Sequence, residues 1–177
     1  MIKIKFGDKE MYDGVTNTFS ILRGGVYSFE HSLKSISAWE AIYKKPFLSD
    51  TKSHTDSEMA HYCRLMATID EPPVELYTSK IYQELINYIK DPQTATTISS
   101  SSKHTGPRRI ITSEVVYAMM AEAGIPFECQ YWNINRLLVL LNVIEARRNP
   151  RKMSQAEIYK QNADLNAQRK AHLNTRG

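Results

Sequence analysis

Cysteine is scarce in this chain of 177 residues: Cys63 and Cys129 are the only two, 66 positions apart. That excludes a disulfide framework and any CxxC or finger spacing, and it fits a reducing compartment with free thiols. No apolar run approaches the ~20 residues that a membrane span needs. The opening "MIKIKFGDKE" alternates charged and apolar residues, which is not the pattern of a signal peptide. No internal repeat is present, and the GxxxxGK[ST] order of a P-loop is missing. None of the spacings that mark a catalytic centre is found. Acidic residues are also scarce at the C-terminal end, where residues 146–177 carry 8 Lys/Arg against 2 Asp/Glu.

What is present is a foldable composition with uneven charge. Apolar residues make up 42% of the chain, enough for one domain with a real core. Residues 1–100 carry 11 Lys/Arg and 13 Asp/Glu, and residues 101–145 carry 4 of each. The net charge of +4 therefore comes from the tail. A basic tail points to an acidic partner surface or to a nucleic-acid backbone.

The strict alternation of "IKIKF", with Ile2, Ile4 and Phe6 on one side, predicts a half-exposed strand. Turn-rich "GDKEMYDG" and the "RGG" at 23–25 predict a hairpin within residues 1–28. The rest predicts helices. Phe29, Leu33, Ile36, Trp39 and Tyr43 recur at spacings of three and four, two lysines close the last turn, and Pro46 stops it. Thr55 and Glu58 form a capping box ahead of Met59, Tyr62, Cys63 and Met66. A helix from about Thr78 to Lys90 has the stripe Ile81, Tyr82, Leu85, Ile86 and Ile89. Residues 93–109, "QTATTISSSSKHTGPRR", read as a long surface loop. Another helix begins near Thr112 or Ser113 and closes at Gly124. In "IPFECQYWNINRLLVLLNVIEARRNP", Leu137 to Ile144 leave no wide polar face, which predicts a central helix anchored by Phe127 and Trp132.

The fold class expected is mainly α: a helical domain over 1–148 with a short N-terminal β-hairpin, and a basic helical arm over 149–177. The arm has a second capping box, Ser154 and Glu157, but a thin apolar stripe of Met153, Ile158 and Leu165. Such a helix gains little from packing on its own domain and is marginal alone. It reads as one half of an interface.

Candidate chemistry is sparse. His54, Glu58, His61 and Cys63 are metal-ligand types, but His61 and Cys63 are two apart and face different ways on a helix. Cys129 precedes a helix, where a thiolate is stabilised, yet no histidine lies within twenty residues to act as base. Lys103, His104, Arg108 and Arg109 make the loop friendly to phosphate. Eight cations in the tail with Tyr159 as its one aromatic give phosphate contacts but little base stacking. A protein surface is the better match, nucleic acid is disfavoured, and no catalytic, metal or cofactor residue is assigned.

Several stretches carry a resemblance. "IPFECQYW.INRLL" at 125–138, "KMSQAEI" at 152–158, "N.DLNAQRK" and the closing "NTRG" are similar to a family of small tail proteins of tailed bacteriophages, the tail assembly chaperones. "FEHSLKSISAWEAIYKKPFLS" at 29–49 fits the same pattern, so the likeness covers about two thirds of the chain. The resemblance implies a non-enzymatic role: coating the tape measure protein in the host cytoplasm until the tail tube forms around it. Met153, Ile158 and Leu165 would then grip the partner helix, with Arg169, Lys170 and Arg176 meeting its acidic side chains. Apart from the resemblance, the cations of the loop, Lys103, Arg108 and Arg109, are candidates for a second contact. Homo-oligomers are compatible with this picture. The alternative is a structural virion subunit of baseplate, neck or tail tip. A third reading is a nucleic-acid-binding protein that uses loop 93–109 and the tail together.

Overall fold

Alternation sets the N-terminal element, as the sequence implies. The computed structural model describes residues 1–49, 54–96 and 110–148, together with Tyr159, residues 162–164 and Asn166. β1 (Ile2–Lys5) pairs antiparallel with β4 (Val26–Phe29), and β2 (Lys9–Asp13) with β3 (Thr18–Leu22). The two ladders share one register, because partner numbers add to the same value from Ile2↔Phe29 to Asp13↔Thr18. The result is one long hairpin interrupted once. At the interruption the Phe6 N–H donates to Gly25 O at 2.8 Å, and the Gly24 N–H donates to Asp8 Oδ1 at 2.8 Å. A Cβ on Gly24 would lie 2.2 Å from the Phe6 carbonyl oxygen, so only glycine fits there. "KEMYD", expected as turn, is strand β2; its Lys9 ammonium donates to Glu75 O at 2.8 Å.

The helices follow their caps. α1 (Leu33–Tyr43) starts late because Ser32 and Ser35 form a reciprocal capping box, so Phe29 belongs to β4 despite its helical spacing. Lys44 ends α1 in the left-handed conformation, φ 55°, ahead of Pro46. α2 (Asp56–Leu65) has the Thr55–Glu58 box read from the sequence. A 3-10 turn (Val74–Leu76) leads to α3 (Ser79–Lys90), whose N-cap is Thr78. α4 (Ser113–Ala123) closes on Gly124 at φ 72°. A second 3-10 turn (Phe127–Tyr131) leads to α5 (Ile134–Arg148).

The fold is thus mainly α with an N-terminal hairpin. The chain divides into two compact units, Met1–Val143 and Ile144–Gly177, with the division inside α5. In the second unit Tyr159, residues 162–164 and Asn166 are helical and exposed. Among the described residues no helix is long and apolar enough to cross a membrane.

The core of the first unit centres on α1, whose Leu33, Ile36 and Trp39 are fully buried. Trp39 packs on Phe47 with ring centroids 5.1 Å apart, and its indole N–H donates to Glu58 O at 3.1 Å. Phe47 lies against Tyr62 at 4.1 Å. The hairpin base adds Ile4, Phe6 and Phe29, with Tyr77 edge-on to Phe6 at 5.2 Å. Fully burying an aromatic of this size stabilises by roughly 2–3 kcal/mol. α5 contributes Ile134, Leu137 and Leu141, whereas Leu138, Val139 and Leu140 are half-buried. It therefore presents one stripe to the core and is not enclosed on all sides. Phe127 and Trp132, expected to anchor it, are exposed at the surface.

Candidate functional site

Charged and hydroxylic side chains meet in the interior where the hairpin joins the helices. Glu30 follows β4 and is buried. Its Oε1 accepts from the Tyr88 hydroxyl at 2.7 Å, from Asn133 Nδ2 at 3.1 Å and from the His31 N–H at 3.1 Å. Its Oε2 pairs with the Met1 ammonium. Asn133 also accepts from the Asn135 N–H at 3.0 Å, which caps the first turn of α5. One carboxylate thus ties β4, α3 and α5 together. Burial pushes the Tyr88 hydroxyl above the usual range, and its bond to Glu30 adds to this.

His31, beside Glu30, is buried against Phe47 and Tyr62, and its Nδ1 shares a hydrogen bond with the Tyr62 hydroxyl. Ser35 Oγ stands 3.3 Å from that same hydroxyl. Burial lowers the imidazole pKa to about 4, against a smaller opposing pull from the Glu30 carboxylate. His31 is therefore neutral at ordinary pH. Burial also raises the Tyr62 hydroxyl far above its usual range and the Cys63 thiol to about 12. Tyr62 and Cys63 therefore keep their protons at ordinary pH, and all three side chains are buried. The geometry is that of a structural junction.

A second buried carboxylate acts in the same way. Glu40 Oε1 accepts from the Phe47 N–H and Oε2 from the Ser113 N–H, each at 2.7 Å. It anchors the N-terminus of α4, where a negative charge suits the helix dipole.

The sequence-level metal candidates are dispersed. Cys63 is buried, Glu58 is committed to its capping box and to Lys45 at 2.6 Å, and His61 bonds the Tyr43 hydroxyl at 2.8 Å. The Lys45 ammonium, then the Thr55 N–H, hold the Glu58 carboxyl below its usual range. Among the described residues no three His, Cys, Asp or Glu gather closely enough to hold an ion. Cys129 is buried in the second 3-10 turn.

Three surface features stand out. The first is the outer half of the hairpin, where Tyr12 and Phe19 face each other across the ladder, 5.0 Å between ring centroids. Ile21 shares that face, because Glu10, its partner, is two residues from Tyr12. Phe19 is 76% exposed and Tyr12 56%, and Val15 at the tip is almost wholly exposed. The second is a groove of about 800 Å³ between α2 and α3, walled by Met59, Tyr82, Ile86 and Ile89. The stripe predicted for α3 is thus split: Ile81 and Leu85 enter the core with Tyr88, while Tyr82, Ile86 and Ile89 wall the groove. The third is the turn before α5. Lys34 Nζ lies 5.2 Å from the Tyr131 ring centroid, and the Arg136 guanidinium lies 6.0 Å from the Trp132 ring centroid.

The partner-binding residues expected from the sequence, Met153, Ile158, Leu165, Arg169, Lys170 and Arg176, lie outside the described residues. So do Lys103, Arg108 and Arg109. Sequence reasoning missed the hairpin face and the Glu30 junction. An alternation signal existed for the first, since Glu10 and Tyr12 continue the parity of Ile2, Ile4 and Phe6. The junction has no local signal, because its partners are dispersed along the chain.

Compared with known proteins, the chain matches no protein-family model, no curated protein and no solved structure.

Proposed function

We propose that this chain is a non-enzymatic assembly protein of a tailed bacteriophage that holds the tape measure protein before the tail tube polymerises. The observation that carries a binding role is the outer hairpin. Tyr12, Phe19 and Ile21 form an uncovered apolar face on a ribbon whose base is locked into the core. Large exposed apolar faces mark interaction surfaces. The buried ionisable groups, by contrast, are engaged in holding the fold. The likeness of residues 125–138, 152–158 and the closing "NTRG" to tail assembly chaperones supplies the identity of the partner, and the net positive tail supplies a complement to an acidic one.

The test is where the protein is found. A chaperone is absent from purified virions by mass spectrometry and co-purifies with the tape measure protein from infected cells. Stoichiometric presence in virions would instead make it a structural subunit. Replacing Phe19 and Ile21 with Ser should weaken co-purification at least tenfold without changing the far-UV spectrum. Undiminished co-purification would remove the hairpin from the interface.

A further inference from the structure

Trp132 and Tyr131 are large aromatic side chains exposed at 47% and 56%, on a segment that is otherwise held tightly. Cys129 and Ile125 are buried beneath the turn, the Trp132 N–H donates to Cys129 O at 3.0 Å, and the Ile134 N–H donates to His31 O at 2.7 Å. Ser32 and Asn133 bridge the turn to the start of α1. The two rings are thus presented on fixed backbone, which lowers the entropy lost when a partner docks.

Each ring carries a cation. Lys34 stands over Tyr131 and Arg136 over Trp132, and neither cation has a carboxylate within ion-pair distance among the described residues. Beside Tyr131 and Lys34 a recess of about 340 Å³ has Ala38, Leu65 and Met66 on its apolar side and Ser32, Ser35 and Thr68 on its polar side, room for a side chain that is apolar for most of its length. Glu30 at its edge has its oxygens occupied by Tyr88, Asn133, the His31 N–H and the Met1 ammonium, so it does not neutralise Lys34. Glu128 is the carboxylate of the turn itself, and it is exposed.

We infer that this surface docks a protein segment that is both acidic and apolar: an apolar side chain enters the recess, and carboxylates meet Lys34 and Arg136. Trp, Tyr and Arg are the residue types that dominate binding energy at protein interfaces. Cations with no carboxylate beside them among the described residues select for negative charge. Stacked rings with cations also suit single-stranded nucleic acid, but such sites need a cationic track. Residues 1–143 carry 15 Lys/Arg against 16 Asp/Glu, a balance that gives a polyanion no general attraction. The inference concerns the first unit alone and does not depend on the tape measure protein being a partner.

The test uses the full chain and a random 16-residue peptide library. Selected peptides should be rich in Asp and Glu with apolar residues three or four apart. Their affinity should fall at least tenfold for Trp132→Ser, and at least as much for the double reversal Lys34→Glu with Arg136→Glu, which keeps both rings. All three positions are at or near the surface, so far-UV spectra and melting temperatures should match the parent. In a Trp39→Phe background Trp132 is the sole tryptophan, and its fluorescence should shift on binding. The proposal fails if selection yields no binder, if the binders are neutral or basic, or if both variants bind as the parent does. It also fails if a twenty-nucleotide oligo(dT) shifts Trp132 fluorescence and displaces the peptides, because the platform would then be a nucleic-acid site.

Discussion

Acid should unfold this protein earlier than its carboxylates alone dictate, and the cause is one imidazole. His31 is 3% exposed and titrates at about 4 in the folded chain. In the unfolded chain it titrates near its ordinary value of about 6.5. Between those two values the unfolded state binds a proton that the native state refuses. Stability is therefore whole above about 6.5 and falls as the pH drops, with a slope of about 1.4 kcal/mol per pH unit. Over the interval the loss is about 3 kcal/mol, a large part of the 5–15 kcal/mol typical of a domain. Below about 4 the native imidazole accepts its proton and this contribution levels off. The assay is urea unfolding at half-unit steps from pH 7.5 to 4, on the parent and on His31→Asn, whose amide oxygen can take over the bond at Nδ1. The variant is less stable at pH 7.5 because it leaves a gap against Phe47 and Tyr62, but its curve should be flatter between pH 6.5 and 4. Asp13, Glu58 and Glu114, whose carboxyls are held low by hydrogen bonds, contribute equally to both proteins and cancel in the difference. Parallel curves for parent and variant would refute the argument. So would an imidazole NMR titration of His31 centred above 6.

Three further outcomes test the packing. Gly24→Ala places a methyl where the Phe6 carbonyl stands, so the hairpin must open at its interruption, and about 2 kcal/mol of stability should be lost by denaturant unfolding. An unchanged midpoint would mean that the close approach of the two strands is relieved at no cost. Glu40→Gln leaves one neutral oxygen to accept from either the Ser113 or the Phe47 N–H and turns an amide NH2 toward the other, which loses its 2.7 Å bond, for a loss of about 2 kcal/mol; an equal loss in Glu40→Ala would show that the remaining amide acceptor is worthless. Cys63, with its thiol raised to about 12, and buried Cys129 should react with Ellman's reagent at pH 8 only as fast as the domain opens. Immediate labelling of both thiols in native buffer would place them at the surface.

The parts of the fold that local chemistry controls were readable before the structure. The Thr55–Glu58 box, the Gly124 stop and the alternation of Ile2, Ile4 and Phe6 each depend on residues within one turn or one strand. Two periods coincide at the end of the hairpin. Phe29 lies four residues before Leu33, which fits a helix, yet its parity also fits β4, and the Ser32–Ser35 cap decides between them. Ser at the third helical position is a weaker signal than Glu, so that box was not visible as one. Hydrophobicity alone makes Phe127 and Trp132 look like anchors of α5, but the 3-10 turn over Phe127–Tyr131 buries Cys129, and Ile125 just before it, in their place. Glu30, Tyr88 and Asn133 were illegible for another reason: no rule of spacing connects residues that meet only after the chain has folded back twice.

The Glu30 junction also joins parts of the chain that are made at different times. Its bonds to Tyr88 and Asn133 span 58 and 103 positions. At translation rates of about 5–20 residues per second, Asn133 follows Glu30 by roughly 5–20 s. During that interval the hairpin can pair, but its carboxylate cannot be buried without leaving bonds unmade. Closing the base of the hairpin and α1 over Glu30 before the start of α5 arrives would leave the Asn133 bond unmade and that closure weaker. Synthesis and completion of the core are thus linked through a single acidic side chain, and a nascent chain stalled before residue 133 should dock its first helix less stably than the full chain does.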